Sequence, residues 1–232
     1  MKKSKNVRFI LLAVVLLITS GALCAQSYNG GSIIDLGFEQ EIVKHFKFNL
    51  GMESRFDEWC THFDRMKLSG EFDYSFLKKK RLKVSLAACY LLYNDDGVPE
   101  HRGRVLGSLT YTEKIQHFKI SYRVRVQSTF YDERMQEVKH NPKTYLRNRL
   151  QFGYTWKEKG VSLHASTEFF LRLYEPQNCF IDNFRTVVGC DFKLNDKNSL
   201  GVYLRADNEI QVKNRENIFY LGIKYVFENP RK

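Results

Sequence analysis

The sequence predicts an all-β protein, an antiparallel up-and-down transmembrane β-barrel of about twelve strands, on three observations. The first is a period of two. In Phe118–Phe130, the residues Phe118, Ile120, Tyr122, Val124, Val126, Ser128 and Phe130 alternate with Lys119, Ser121, Arg123, Arg125, Gln127 and Thr129. That period puts the two sets on opposite faces of a strand. The second is length. The stretch exceeds the roughly five to six residues of an ordinary strand and reaches the roughly nine to eleven that cross a bilayer at a tilt. The third is repetition. About eleven such segments follow one another, joined by alternately shorter and longer links, with no helix-period stripe among them. Consecutive antiparallel hairpins make an up-and-down sheet, and full closure removes its edges. Bacterial barrels usually have an even strand number. Twelve strands are therefore expected and ten are the second choice, with the twelfth sought in Tyr28–Gly31 or in the loop Asp132–Lys143.

In chain order, residues 1–25 read as a cleaved secretory signal. Lys2, Lys3, Lys5 and Arg8 precede the apolar run Phe9–Ile18, and small residues lead to Ala25-Gln26, which is the leader pattern. Cys24 leaves lipidation open, against which the bulky Leu23 stands. The apolar run is shorter than the roughly 18 residues of a spanning helix. Residues 26–31 form a short N-terminal segment that could lie in the lumen, 32–227 form the barrel, and 228–232 a tail.

Ile34, Leu36, Phe38 and Ile42 make the first outer face, and Phe46, Phe48, Leu50 and Met52 the second. Met66 to Phe76 and Leu82 to Leu92 alternate likewise around the basic turn Lys78–Arg81. Asn94–Pro99 has turn chemistry throughout, and a shorter strand, Val105–Tyr111, follows it. After Phe118–Phe130 come Leu146–Trp156, Val161–Leu171, Phe184–Leu194, Leu200–Ala206 and Phe219–Phe227.

Formal net charge is +11, with 43% hydrophobic and 14% aromatic residues. The mean hydropathy of −0.42 would suit a soluble protein, but a barrel with a polar lumen averages the same, because only alternate residues face lipid. A nucleic-acid partner is not expected, since the basic residues fall at alternate strand positions and form no single block. A soluble barrel or sandwich would put the apolar face inside. Three features favour lipid outside, in the outer membrane. The polar face is rich in full charges, which are costly against lipid. Aromatic residues (Phe130, Trp156, Phe169, Tyr225, Phe227) stand near strand ends, where interfacial girdles belong. The leader exports the chain.

Glu53-Ser54-Arg55, His101-Arg102-Gly103-Arg104, Tyr145-Leu146-Arg147-Asn148-Arg149-Leu150 and Leu221-Gly222-Ile223-Lys224-Tyr225-Val226-Phe227 resemble an uncharacterised outer-membrane β-barrel family of Bacteroidetes-type bacteria, a domain of unknown function. The likeness covers roughly Gly31 to Phe227. It departs at the first strand, where a tryptophan is expected and Ile34 and Leu36 stand. The terminal aromatic strand ending at Phe227 also resembles the signal read by barrel-insertion machinery. The resemblance implies outer-membrane lipid and that machinery as partners, and supplies no catalytic residues.

The expected lumen charges are Glu53, Arg55, Arg65, Glu71, Arg123, Arg125, Arg147, Arg149, Glu168, Arg172, Arg185, Asp191, Arg205, Asp207, Glu209 and Lys224. They suit a narrow passage for small polar or anionic solutes, since charged rings set selectivity. They equally suit cross-strand ion pairs that stiffen a closed structural or interaction barrel. A third reading is an outer-membrane lipid hydrolase, because His164-Ala165-Ser166 resembles the His-x-Ser pair of lipid A deacylases and Glu168 shares their face. Residues two apart on a strand are about 6.5–7 Å apart, beyond easy hydrogen-bond reach. No cofactor is expected, and no metal, since the histidines are scattered and the cysteines have no ligand spacing. Cys60 and Cys179 fall in links on the same side, so a disulfide is possible in an oxidising compartment, although separate thiols are favoured.

Overall fold

Each alternating stretch forms one strand of a single sheet. The computed structural model describes residues 27–76, 81–95, 97–132, 141–174, 181–210 and 216–230. The leader, Cys24 and Cys179 lie outside the described residues. The strands are β1 (Ser27–Val43), β2 (Phe46–Asp57), β3 (His62–Phe76), β4 (Leu82–Asp95), β5 (Val98–Ile115), β6 (Phe118–Tyr131), β7 (Lys143–Trp156), β8 (Val161–Leu173), β9 (Ile181–Lys193), β10 (Asn198–Glu209) and β11 (Glu216–Asn229). They pair in chain order, and β1 closes the barrel on β11.

The strand count is thus eleven among the described residues, which corrects the expected twelve. Tyr28–Gly31 supplies no extra strand because it is the start of β1, and Lys143 already belongs to β7. The rest of the loop in which a twelfth strand was sought lies largely outside the described residues. An odd count makes the first and last strands run the same way, so the closure is parallel, from Ser27 opposite Glu216 to Gln40 opposite Asn229. A parallel ladder is slightly less stable per residue than an antiparallel one, and side chains reinforce this seam. Phe38 stacks on Phe227 with ring centroids 6.0 Å apart, and Asn229 Nδ2 donates to Gln40 Oε1 at 2.6 Å. The Tyr203 hydroxyl reaches from β10 past β11 to donate to Asp35 Oδ2 on β1 at 2.6 Å. Its ring passes so close over Gly222 that a Cβ there would stand 2.1 Å from Tyr203 Cζ. Glycine at 222 is therefore part of the closure.

Two boundaries differ from the sequence reading. The wall takes in Ser27–Gly31 and, at the other end of the chain, Glu228-Asn229, so Ser27–Gly31 lies in the sheet and not across the lumen. The strand expected over Val105–Tyr111 is in fact the longest, an 18-residue β5. Pro99, which reads as a turn residue, is its second residue and pairs with Asn94; proline is tolerated at the start of a strand.

Links 44–45, 77–81, 116–117, 157–160 and 194–197 join strands at one end, here the turn end. Links 58–61, 96–97, 132–142, 174–180 and 210–215 join them at the loop end. The period of two then decides the faces. Among the described residues, thirty-seven large apolar side chains are exposed and only five (Ile33, Leu91, Phe170, Tyr220 and Val226) are buried. Arg55, Asp73, Glu100, Arg147, Glu168 and Arg205 are buried with them. This inverts the usual arrangement of a water-soluble protein, in which charged residues are almost never buried unless paired.

Candidate functional site

The wall encloses a cavity of about 960 Å³. The side chains of eight strands can just fill a barrel; eleven strands leave room. All sixteen charged residues expected on the inner face line this cavity, together with Lys67, Arg102, Arg104, Lys119, Lys143 and Asp182. Fifteen lysines and arginines thus face seven aspartates and glutamates across it. A second cavity of about 440 Å³ lies toward the turn end. Lys119, Asp191 and Lys224 line both, so the two cavities meet at that level.

Along one part of the inner wall, charges and rings alternate in a belt. On β2, Arg55 donates from Nε to Glu53 Oε1 at 2.6 Å, and Lys67 of β3 pairs with the other Glu53 oxygen. Arg55 and Arg205 lie on either side of the Tyr220 ring, 5.8 and 5.4 Å from its centroid. Arg205 pairs with Asp207, which also accepts from Arg185 Nε at 2.6 Å and Nη2 at 3.1 Å. Arg185 and Arg147 then flank Phe170, at 4.9 and 4.2 Å. Buried charges are tolerable only when paired and hydrogen-bonded, and in this belt each carboxylate holds two cations.

The β6–β7 wall is different. Arg123 lies directly opposite Arg149, and Arg125 directly opposite Arg147. Like charges in register repel. The carboxylate among them is Glu168, which accepts from Arg123 Nη2 on one oxygen and Arg147 Nη2 on the other, each at 2.7 Å. Arg147 also donates to Gln127 Oε1 at 2.7 Å. Arg125 reaches Glu71 only at 3.8 Å. Arg149 stands beside Glu168 in register, but both Glu168 oxygens are taken, and Arg149 forms no salt bridge among the described residues. The Nε atoms of Arg123, Arg125 and Arg147 are buried without a hydrogen-bond partner, as is the hydroxyl of Ser108, which faces Arg125 across β5 and β6.

His164, Ser166 and Glu168 all line the cavity but are not wired as a catalytic triad. Glu168 is committed to the two arginines, and His164 Nδ1 faces Asp191 Oδ2 at 3.1 Å. The acid that would orient the histidine toward Ser166 is thus engaged elsewhere, whereas nucleophilic catalysis needs base, nucleophile and orienting group in one chain of hydrogen bonds. Among the described residues no cluster of three metal-ligating side chains occurs, and Cys60, Cys89 and Cys190 are free thiols. No described helix is long and apolar enough to cross a membrane, which says nothing of strands.

Sequence reasoning missed a second set of inner residues. At the loop end, Arg102 lies over Tyr93 and Tyr131, at 3.8 and 4.5 Å, and the expected Arg65 lies over the same Tyr93 at 4.6 Å. Arg65 Nη1 also donates to the Tyr93 hydroxyl at 2.6 Å. Arg102 was hidden because Asn94–Pro99 reads as a turn with a short strand after it. Phe170 and Tyr220 were hidden because aromatic residues draw attention to the apolar face; their parity with Glu168 and Lys224 was the available signal.

The sequence matches the model of a protein family of unknown function (DUF2490) over residues 34–218, and the chain belongs to that family. No curated protein matches it.

Proposed function

We propose that this member of the DUF2490 family is an integral outer-membrane β-barrel whose cationic interior admits and passes small anionic solutes. The observation that carries the reading is the pairing of an apolar exterior with a roomy interior lined by fifteen cations and seven anions. Soluble monomers rarely expose contiguous apolar patches above a few hundred Å², whereas a lipid-facing wall requires them. Aromatic pairs near the turn end support the same reading. Phe38–Phe227, Phe46–Phe72 and Phe118–Tyr154 are in ring contact there, as an interfacial girdle would be. The aromatic strand that ends in this band is the segment we assign to the insertion machinery. Rings of one charge sign favour counter-ions in a pore.

Cell fractionation tests location. The expected result is recovery with the outer membrane and slower or faster gel migration before boiling than after; release as a soluble periplasmic protein with no heat-dependent mobility would overturn it. The second reading is a closed structural barrel whose loops contact envelope partners. The belt from Glu53 through Asp207 to Glu168 favours it, because paired charges and rings stiffen a wall without needing a solute. A folded barrel that stays electrically silent in a planar bilayer selects that reading.

A further inference from the structure

We infer that the four arginines of β6 and β7 form a binding site for one polyvalent tetrahedral oxyanion, a phosphate or sulfate group. The inference rests on the proposed solute-accessible interior and names the class of solute the interior would hold.

Three independent observations converge on it. The first is charge. Arg123, Arg125, Arg147 and Arg149 occupy two directly opposed register pairs, and Glu168 is the carboxylate bonded among them. Elsewhere in the same cavity, Asp207 serves two arginines and Glu53 serves an arginine and a lysine. The second is unfilled hydrogen bonding. Buried polar atoms are nearly always partnered, yet Arg123, Arg125 and Arg147 each carry a buried Nε without a partner, and the hydroxyl of Ser108, a residue only 7% exposed, is likewise unpartnered. The third is access. All four arginines line the 960 Å³ cavity, so these side chains border a space a solute can enter, while the Nε atoms of Arg123, Arg125 and Arg147 are buried behind that surface.

The chemistry of the donors selects the class. Guanidinium forks match the paired oxygens of carboxylate and phosphate. A chloride ion would offset one charge and present no directional acceptor. A monocarboxylate brings two oxygens, as Glu168 already does. A tetrahedral dianion brings more oxygens and more charge to a cluster that is short of both. Arg149 and Arg125 are the two arginines that Glu168 leaves without a close partner, so they are the principal ligands; Arg123 and Arg147 set the local potential.

The test uses the full-length protein, folded in detergent, with fold confirmed by circular dichroism and heat-dependent gel mobility. Titration calorimetry with sodium phosphate, at ionic strength fixed with sodium chloride, is expected to show saturable binding near one anion per barrel, and chloride alone none. Arg149→Gln and Arg125→Gln should each weaken phosphate binding at least tenfold, Arg149→Lys should recover part of it, and Lys67→Gln, on the closely paired belt, should change it less than threefold. Unfolding temperature separates a binding role from a structural one. Phosphate should raise the wild-type midpoint, and Arg149→Gln should abolish that rise without lowering the midpoint in phosphate-free buffer. Competition with glycerol phosphate identifies the source: displacement of phosphate points to a phosphorylated solute, and failure to displace it points to the free anion. A folded wild type with no saturable phosphate binding, or equal affinity in Arg149→Gln, overturns the site. Anion-selective conductance in that same preparation would leave the passage reading standing while the site falls. Binding without conductance would do the reverse.

Discussion

Two stretches of the same inner wall solve the problem of buried charge in opposite ways. On the β2–β3 and β9–β10 side, Glu53 holds Arg55 and Lys67, and Asp207 holds Arg185 and Arg205. On the β6–β7 side, Glu168 holds Arg123 and Arg147, Arg125 reaches Glu71 only at 3.8 Å, Arg149 has no salt bridge among the described residues, and both register pairs are like-charged. Strand geometry and residue type are the same on both sides; what differs is that each of these four cations on the first side has a carboxylate within about 3 Å, whereas two of the four arginines on the second do not. Close pairing of each buried cation is what a wall needs for its own stability. Cations left without a close partner cost stability and are useful only if something from outside completes them. Phe170 marks the border, with Arg147 of one group on one side and Arg185 of the other on the other.

The largest expected effect is on the closely paired side. Asp207→Asn leaves Arg185 and Arg205 buried without their carboxylate and should cost about 3 kcal/mol, read as a lower urea midpoint, with no recovery on adding phosphate. Glu168→Gln on the other side should cost a similar amount in chloride but less than about 1 kcal/mol in excess phosphate, because a bound anion stabilises the folded state by mass action. Equal and phosphate-independent losses in the two variants would erase the distinction between the walls. Gly222→Ala drives a Cβ into the Tyr203 ring and should cost about 2 kcal/mol at the parallel seam, with phosphate affinity unchanged.

Much of this is legible in the sequence. Parity alone put Arg123, Arg125, Arg147 and Arg149 on one face, and all four line the cavity. What parity cannot give is register. That Arg123 faces Arg149, and not Gln151 or Arg147, depends on how far β7 slides past β6 across the link 132–142, which has no local signature of register. The same gap explains the strand count. Eleven segments could be read off, but whether β1 meets β11 parallel or another strand intervenes is a long-range fact with no local signature. Tyr203, Gly222 and Asp35 lie on three different strands, and only the closure brings the hydroxyl to the carboxylate. The Pro99 reading failed for a local reason: proline marks a turn or the first residues of a strand equally well, and the two-residue link at 96–97 decides between them.

The smallest stability effect is expected from the arginines without a tight partner. Arg149→Gln should shift the urea midpoint by no more than about 0.5 kcal/mol equivalent. A loss as large as that of Asp207→Asn would make Arg149 a structural residue and place both walls in one class.

The most direct measurement is the reversal potential of the purified barrel in a planar bilayer under a salt gradient, for the wild type and for the variant with Arg123, Arg125, Arg147 and Arg149 all changed to Ala. The wild type is expected to conduct in steps with a preference for anions that fades as salt screens the lumen charges, and the variant, still folded by circular dichroism, to conduct without that preference. A folded wild type that never conducts would contradict the passage, and an anion preference that survives loss of all four arginines would contradict the assignment of the β6–β7 wall as its selective surface.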